Sequence, residues 1–480
     1  MAQQTVAEVL RLTLKRVPVA VIALLVIAVT VSAVVLACRH EQKRRNEGAV
    51  SSPEPTPAAF AEEIGRGRFT ATIAYTLFGA ESTGEISSRL LWDDAWFTAS
   101  PTTYNHELAR AAMLLSTLAY SESGYYQAGS SQPAYMEDAL AALGFTRVST
   151  ESYRYRSEVV DEVLDAVTQD ADGVAYTIAS KQVEDADGDT REVIAVAVRG
   201  SYGSEWLSNF NMGDAADELE DAEHHSGYLA AAEEIKAELD TWRSQAHEQG
   251  REVSVLLCGH SRGGAVAGLL ASMLDDEAAE NGRDVLEGAS AGAAQGASDD
   301  ATGASAAAAP GATDATSAPG ATDRIFAYTF ASPRTTVDAA GDASRYNNIF
   351  NIVNPADPVP NLPLESWGFS RNGVTLSLPS VDGAGYQAAH ERMSAAFEEL
   401  TGERSAYDPE VEHAIGDFVD DISSSVPTAQ DLVSAGGAVS VAGAVASHLD
   451  PLTVLKGHYP SVYLTWLSAT DGEDLVEAAG

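Results

Sequence analysis

Gly259-His260-Ser261-Arg262-Gly263-Gly264 constrains this chain more than any other stretch. An apolar run, Val253-Ser254-Val255-Leu256-Leu257-Cys258, precedes it, and small residues, Ala265-Val266-Ala267-Gly268-Leu269-Leu270-Ala271, follow. The order is strand, sharp turn with a central serine, then helix. Glycines on both sides let the strand and helix backbones pass closely, and the turn lifts the serine hydroxyl off the sheet edge at a helix N-terminus. A second G-x-S-x-G, Gly288-Ala289-Ser290-Ala291-Gly292, lies in an Ala/Gly/Ser tract with no strand before it. Context retains Ser261 and rejects Ser290.

Other segments have the same alternating character. Val193-Ile194-Ala195-Val196-Ala197-Val198 is an uninterrupted apolar run ending at Arg199-Gly200-Ser201, as expected of a strand buried on both faces. Ile325–Phe330 and Ile349–Asn354 read as further strands, and His106–Tyr120 carries Leu108, Ala111, Ala112, Leu115 and Leu118 at helical spacing. Strands alternating with helices predict an α/β domain with a mostly parallel central sheet flanked by helices.

The domain is expected over residues 61–480, with a disordered low-complexity insertion at 276–323, where Pro-Gly-Ala-Thr-Asp recurs and large apolar residues are nearly absent. Before it lie a short arm (1–16), an anchor (17–38) and a Pro-rich linker (39–60). Val17 to Ala37 carries no charge and is bounded by Arg11, Lys15 and Arg16 on one side and Arg39, Lys43, Arg44 and Arg45 on the other. This predicts one N-terminal transmembrane helix, an uncleaved signal anchor with the domain on the extracytoplasmic side. The alternative is a lipidated Cys38 after Val35-Leu36-Ala37.

The net charge of −41 makes nucleic acid an improbable partner, since phosphates would be repelled. Two cysteines make no disulfide framework, and His224-His225 lacks the cysteine partners of a zinc site. No metal or cofactor is expected, and nothing in the sequence sets an oligomeric state.

A serine hydroxyl needs a base, a carboxylate to orient that base, and donors for a developing oxyanion. Asp357, in Pro355-Ala356-Asp357-Pro358-Val359-Pro360 after an apolar strand, is the candidate carboxylate. Four histidines follow it. His390 and His413 sit in polar helical stretches and read as solvated; His448 is the second choice, and His458, in Gly457-His458-Tyr459-Pro460, fits best. The candidate oxyanion donors are the N–H of Arg262, directly after the serine, and Ser201 at the end of the 193–198 strand.

Five segments in this order resemble the class 3, fungal-type lipases. They are Val198-Arg199-Gly200-Ser201 with Trp206-Leu207, His225-Ser226-Gly227-Tyr228, the Gly259–Gly264 turn, Phe330-Ala331-Ser332-Pro333-Arg334, and Asp357-Pro358-Val359-Pro360-Asn361-Leu362-Pro363, with His458, Tyr463 and Trp466 closing the series. The resemblance implies an α/β-hydrolase fold and hydrolysis of lipid carboxylic esters through an acyl-enzyme. It implies Ser261 as nucleophile, Asp357 as orienting acid, His458 as base, and Ser201 with Arg262 as oxyanion hole. A catalytically silent hydrolase fold used for binding or scaffolding is the alternative. Three features depart from the family: Arg262 where an apolar residue is common, the insertion, and the acids Asp214, Asp217, Glu218, Glu220 and Asp221 where a greasy lid would lie.

Overall fold

A computed structural model describes residues 65–77, 84–127, 133–153, 174–184, 188, 190–200, 226–295, 323–337, 343–405, 407–432, 434–449 and 456–477. The expected anchor at 17–38, Cys38, Ser201 and the acidic residues 214–221 lie outside these. Among the described residues no helix is long and apolar enough to cross a membrane.

The chain opens with an antiparallel pair, β1 (Arg68–Thr76) and β2 (Glu85–Asp93), followed by α1 (His106–Gln127), α2 (Tyr135–Ala142) and β3 (Arg147–Ser149). Next come β4 (Tyr176–Glu184), β5 (Thr190–Val198), α3 (Ser226–Glu248), β6 (Glu252–His260), α4 (Arg262–Gln295) and β7 (Arg324–Phe330). The remainder is β8 (Thr336–Val337), β9 (Ile349–Val353), β10 (Phe369–Ser370), β11 (Val374–Ser377), α5 (Tyr386–Thr401), α6 (Val411–Ser425), α7 (Ala435–His448), α8 (Pro460–Ala469) and β12 (Val476–Glu477).

Eight strands form the central sheet in the order β12-β11-β9-β7-β6-β5-β4-β3. The run from β5 to β11 is parallel, and antiparallel strands close both edges. Successive side chains of a strand face opposite ways, and the core divides accordingly. Val253, Val255 and Leu257 of β6 join the cluster under α3 and α4, whereas Leu256 and Cys258 join the cluster with α1 and α8. Both faces are therefore covered, which explains why β5 and β6 read as continuous apolar runs. The result is the mostly parallel α/β architecture, with helices on both faces of the sheet, that was expected.

Two buried ionisable side chains hold the first hairpin and α2 to this frame. Lys181 Nζ on β4 donates to Asp94 Oδ1 and to the carbonyl of Gly65 (2.7 Å each), and to the carbonyl of Leu143 (2.9 Å). Its ammonium lies 5.6–5.8 Å from the rings of Phe69, Trp92 and Phe145, a desolvated setting that lowers the lysine pKa. Glu122 on α1 is fully buried and accepts the Met136 N–H at the start of α2 (2.9 Å). Burial, only partly offset by that bond, pushes its carboxyl up to about 7.

Two expectations need correction. The insertion was expected to lack structure from residue 276, but α4 continues through it to Gln295. Alanine and glutamate, frequent between residues 276 and 295, favour helix, and the rejected Ser290 sits inside that helix. Residues 296–322 lie outside those described. His390, expected on a solvated face, is half-buried and stacks on Tyr386 (5.5 Å, 8°) with Trp466 6.2 Å away. The polar residues around it in sequence face outward, while His390 shares the inward face with Met393 and Phe397.

Candidate active site

β6 ends in His260, and Ser261 turns with φ +58°, a left-handed conformation rare for a residue with a side chain. Such a residue costs about 1–3 kcal/mol and persists only where its surroundings enforce it. Here the Ser261 N–H donates to the Phe330 carbonyl of β7 (2.8 Å), and its carbonyl accepts the Ala265 N–H (3.1 Å). Gly259 and Gly263 allow the close passage. A Cβ on Gly259 would lie 2.2 Å from the Gly263 carbonyl oxygen, and one on Gly263 would lie 2.2 Å from that of Val198. Strand β5, the turn and α4 are thus pressed together with no room for a methyl group.

Arg262 is the first residue of α4, so its N–H belongs to the unsatisfied positive end of a long helix. Its side chain is buried and lies near Tyr228 of α3. Burial raises the Tyr228 phenol pKa, and the Arg262 charge opposes that rise. The departure from an apolar residue is therefore accommodated inside the protein. Below the turn, burial pushes the Cys258 thiol up to about 12, so it stays protonated and inert.

The carboxylate loop follows β9. Asn354 organises it: its carbonyl accepts the Asp357 N–H (2.9 Å), its Oδ1 accepts the Ala356 N–H (3.2 Å), and its Nδ2 donates to the Gly457 carbonyl (2.8 Å). Asp357 is 0% exposed. Its Oδ1 accepts the Val359 N–H (3.0 Å), while its Oδ2 accepts from both His458 Nδ1 and the Tyr463 hydroxyl, each at 2.8 Å. Three donors on a buried carboxylate keep a charged group tolerable in the interior. Tyr463 remains protonated, since burial and then the neighbouring Asp357 charge raise its pKa well above the ordinary value.

His458 is buried just ahead of α8, whose first residue is Pro460, a residue suited to a helix start. The segment fits against the carboxylate loop because residue 457 is glycine; a Cβ there would lie 2.0 Å from the Ala356 carbonyl oxygen. The imidazole of His458 lies 4.8 Å from that of His260, centroid to centroid. His260 itself contacts Tyr120 of α1 through Nδ1 (2.9 Å) and the His458 carbonyl through Nε2 (2.8 Å).

Ser261, Arg262, Asp357 and His458 thus converge at one end of the parallel strands, where open α/β sheets place their sites. Ser201 falls outside the described residues, one position beyond Gly200. His448, the alternative base, is instead at the end of α7, 3.3 Å from Asp421. His413 is 55% exposed, near Asp382 and Glu410. Among the described residues no group of three or more His, Cys, Asp or Glu side chains could hold a metal ion.

Sequence reasoning missed the supporting residues. Asn354 was visible as an Asn three positions before Asp357, a turn-initiating pattern. The partnership of Tyr120 with His260 joins residues 140 apart and has no local signal.

Residues 195–295 match the family model described as lipase (class 3). A secreted mono- and diacylglycerol lipase 1 from Fusarium solani is 36% identical over 91 residues, 18% of this chain and 27% of that protein. The chain therefore spans about a quarter of the length of this curated relative. Among solved structures, a lipase from Rhizopus microsporus var. chinensis is 15% identical with a TM-score of 0.30, covering 64% of this chain and 83% of its own. Rhizomucor miehei triacylglyceride lipase is 20% identical with a TM-score of 0.24, covering 43% and 62%. The similarity to the class 3 lipase family is thus concentrated in residues 195–295, which carry the serine turn with its strand and helix.

Proposed function

We propose that this protein is a membrane-anchored serine hydrolase that cleaves carboxylic esters of lipids through an acyl-enzyme. The observation that carries the reading is the fully buried Asp357 carboxylate, held by three donors and bonded to His458 Nδ1, with the His458 ring packed on His260, the residue before a serine in a strained turn.

With Nδ1 bonded to the carboxylate, the opposite ring nitrogen, Nε2, is the proton acceptor for Ser261. As the Ser261 oxygen bonds to the ester carbonyl carbon, its proton passes to Nε2, and Asp357 stabilises the imidazolium. The carbonyl oxygen takes up negative charge at the N-terminus of α4, where the Arg262 N–H receives it; the Ser201 N–H and hydroxyl are the second donor. One such donor contributes about 10²- to 10³-fold in rate. Collapse expels the alcohol, which takes the proton from Nε2 and leaves an acyl-Ser261. Water, deprotonated by the same nitrogen, then releases the acid.

A labelled fluorophosphonate should attach to the wild-type protein and not to Ser261→Ala. Equal labelling of both overturns the assignment, and labelling without turnover on any ester favours a silent binding protein. The relative's name puts mono- and diacylglycerols first in the ester panel. Anchoring rests on the uncharged run from Val17 to Ala37 and its basic flanks. Extraction of the full chain from membranes by detergent but not by carbonate supports it; release by carbonate refutes it. Digestion of the domain by protease added to intact cells supports an extracytoplasmic location, and full protection refutes it.

A further inference from the structure

The backbone carbonyl of His458 sets the direction of a hydrogen-bond chain that the mechanism above leaves unused. A carbonyl only accepts, so His260 Nε2, 2.8 Å away, carries the proton and donates. In a neutral ring Nδ1 is then an acceptor, and the Tyr120 hydroxyl at 2.9 Å donates to it. The chain runs from α1 through the last residue of β6 to the backbone of His458. His260 is 1% exposed. Tyr120, His458 and Tyr463 are the titratable side chains whose rings pack on it among the described residues. Burial first, and the His458 ring second, lower its pKa well below the ordinary value, so the ring is neutral.

Gly457 and His458 belong to no strand, so the sheet does not itself fix their distance from Ser261. The bond to Asp357 orients the imidazole but is made from another loop. His260 is bonded in sequence to Ser261 and in space to His458, and so links the two directly. Tyr120 has a further contact: a Cβ on Gly200 would lie 1.9 Å from its hydroxyl oxygen and 2.6 Å from the His260 carbonyl oxygen. The same phenol therefore abuts the end of β5, one residue before Ser201.

We infer that His260 is a positioning residue for the base, holding the His458 backbone at a set distance from Ser261, and that Tyr120 fixes the tautomer in which it does so. This rests on the reading of His458 as general base.

The test compares His260→Gln, His260→Leu and Tyr120→Phe in the full-length protein, with thermal midpoints recorded to show folding. Gln places an amide nitrogen where Nε2 was and keeps the donor to the His458 carbonyl; Leu keeps bulk and loses it. Displacement of a catalytic group by 1 Å can cost 10²-fold. The expected result for His260→Leu is a kcat lower by about 10- to 100-fold with KM changed less than about 3-fold, and recovery of most of the loss in His260→Gln. In Tyr120→Phe, ¹⁵N resonances of His260 should show a new Nδ1–H population and kcat should fall. A folded His260→Leu with wild-type kcat overturns the inference, as does a Gln variant no better than Leu. Neither result touches the hydrolase assignment, which fails separately if wild type is not labelled or does not turn over.

Discussion

The hydroxyl of Tyr463 makes two bonds, and replacing Tyr463 by Phe removes both while keeping the ring. It donates to Asp357 Oδ2 at 2.8 Å and accepts the Asn354 N–H at 3.1 Å. A hydrogen bond to a charged group contributes about 1.5–3 kcal/mol, and a buried donor left unpaired costs about 1–3 kcal/mol. Tyr463 and Asp357 are both 0% exposed, so no surface screening reduces these figures. The loss should therefore be about 3–5 kcal/mol, a large share of the stability of a typical domain. Urea denaturation of wild type and Tyr463→Phe at constant pH measures it, with parallel slopes showing that the unfolded states match. In the same variant the Val359 N–H and His458 still bond Asp357, so kcat should drop by less than about 100-fold. Asp357→Asn, which removes the charge, should cost on the order of 10⁴-fold. A stability change under about 0.5 kcal/mol refutes the proposed bonding of the hydroxyl. A catalytic loss equal to that of Asp357→Asn refutes the division of roles between them.

Lys181→Met should destabilise by about 3–5 kcal/mol because Asp94 is left charged and buried; Lys181→Met/Asp94→Asn should recover part of this, checked by a double-mutant cycle. Burial raises the Glu122 pKa from an ordinary 4.5 to about 7, so the folded state holds its proton more tightly than the unfolded one. The resulting cost is absent below about pH 4.5, grows as pH rises to about 7 and then levels off at about 3 kcal/mol. Glu122→Gln should remove that slope, so its stability relative to wild type should rise by about that amount between pH 4.5 and 7.5. Gly457→Ala must push the His458 segment off the Asp357 loop, and kcat should fall more than about 100-fold with a lowered thermal midpoint. A wild-type kcat in this variant contradicts the close packing of the two loops.

Legibility in the sequence followed the range of the interactions. β5, β6, β7 and β9 were readable because strands buried on both faces leave continuous apolar runs, and the serine turn because its glycines sit at fixed offsets. Asp357 and His458 were readable as vacancies that the turn implies. The residues that hold them were harder: Asn354 bonds the Gly457 carbonyl from 103 positions away, and Lys181 joins Asp94 from 87. Such contacts are products of topology and leave no local pattern. The unstructured reading of 276–295 failed for the converse reason. Low complexity speaks against a core of the tract's own, whereas a helix already formed on the packed residues Ala265–Leu274 can propagate onward one hydrogen bond at a time.

The long helix α4 has a further consequence. Its N-terminus carries Arg262 at the serine, and at 1.5 Å per residue its 34 residues reach about 50 Å away. β7, which resumes the chain, runs parallel to β6, so Arg324 lies at the rim of the sheet opposite Ser261. Both attachment points of the residues between them are therefore on the far side of the molecule from the chemistry. Drift in the length of that tract leaves the reacting groups in register, which gives evolution a place to lengthen the chain freely. It also gives the protein engineer a splice point for a reporter or an affinity handle.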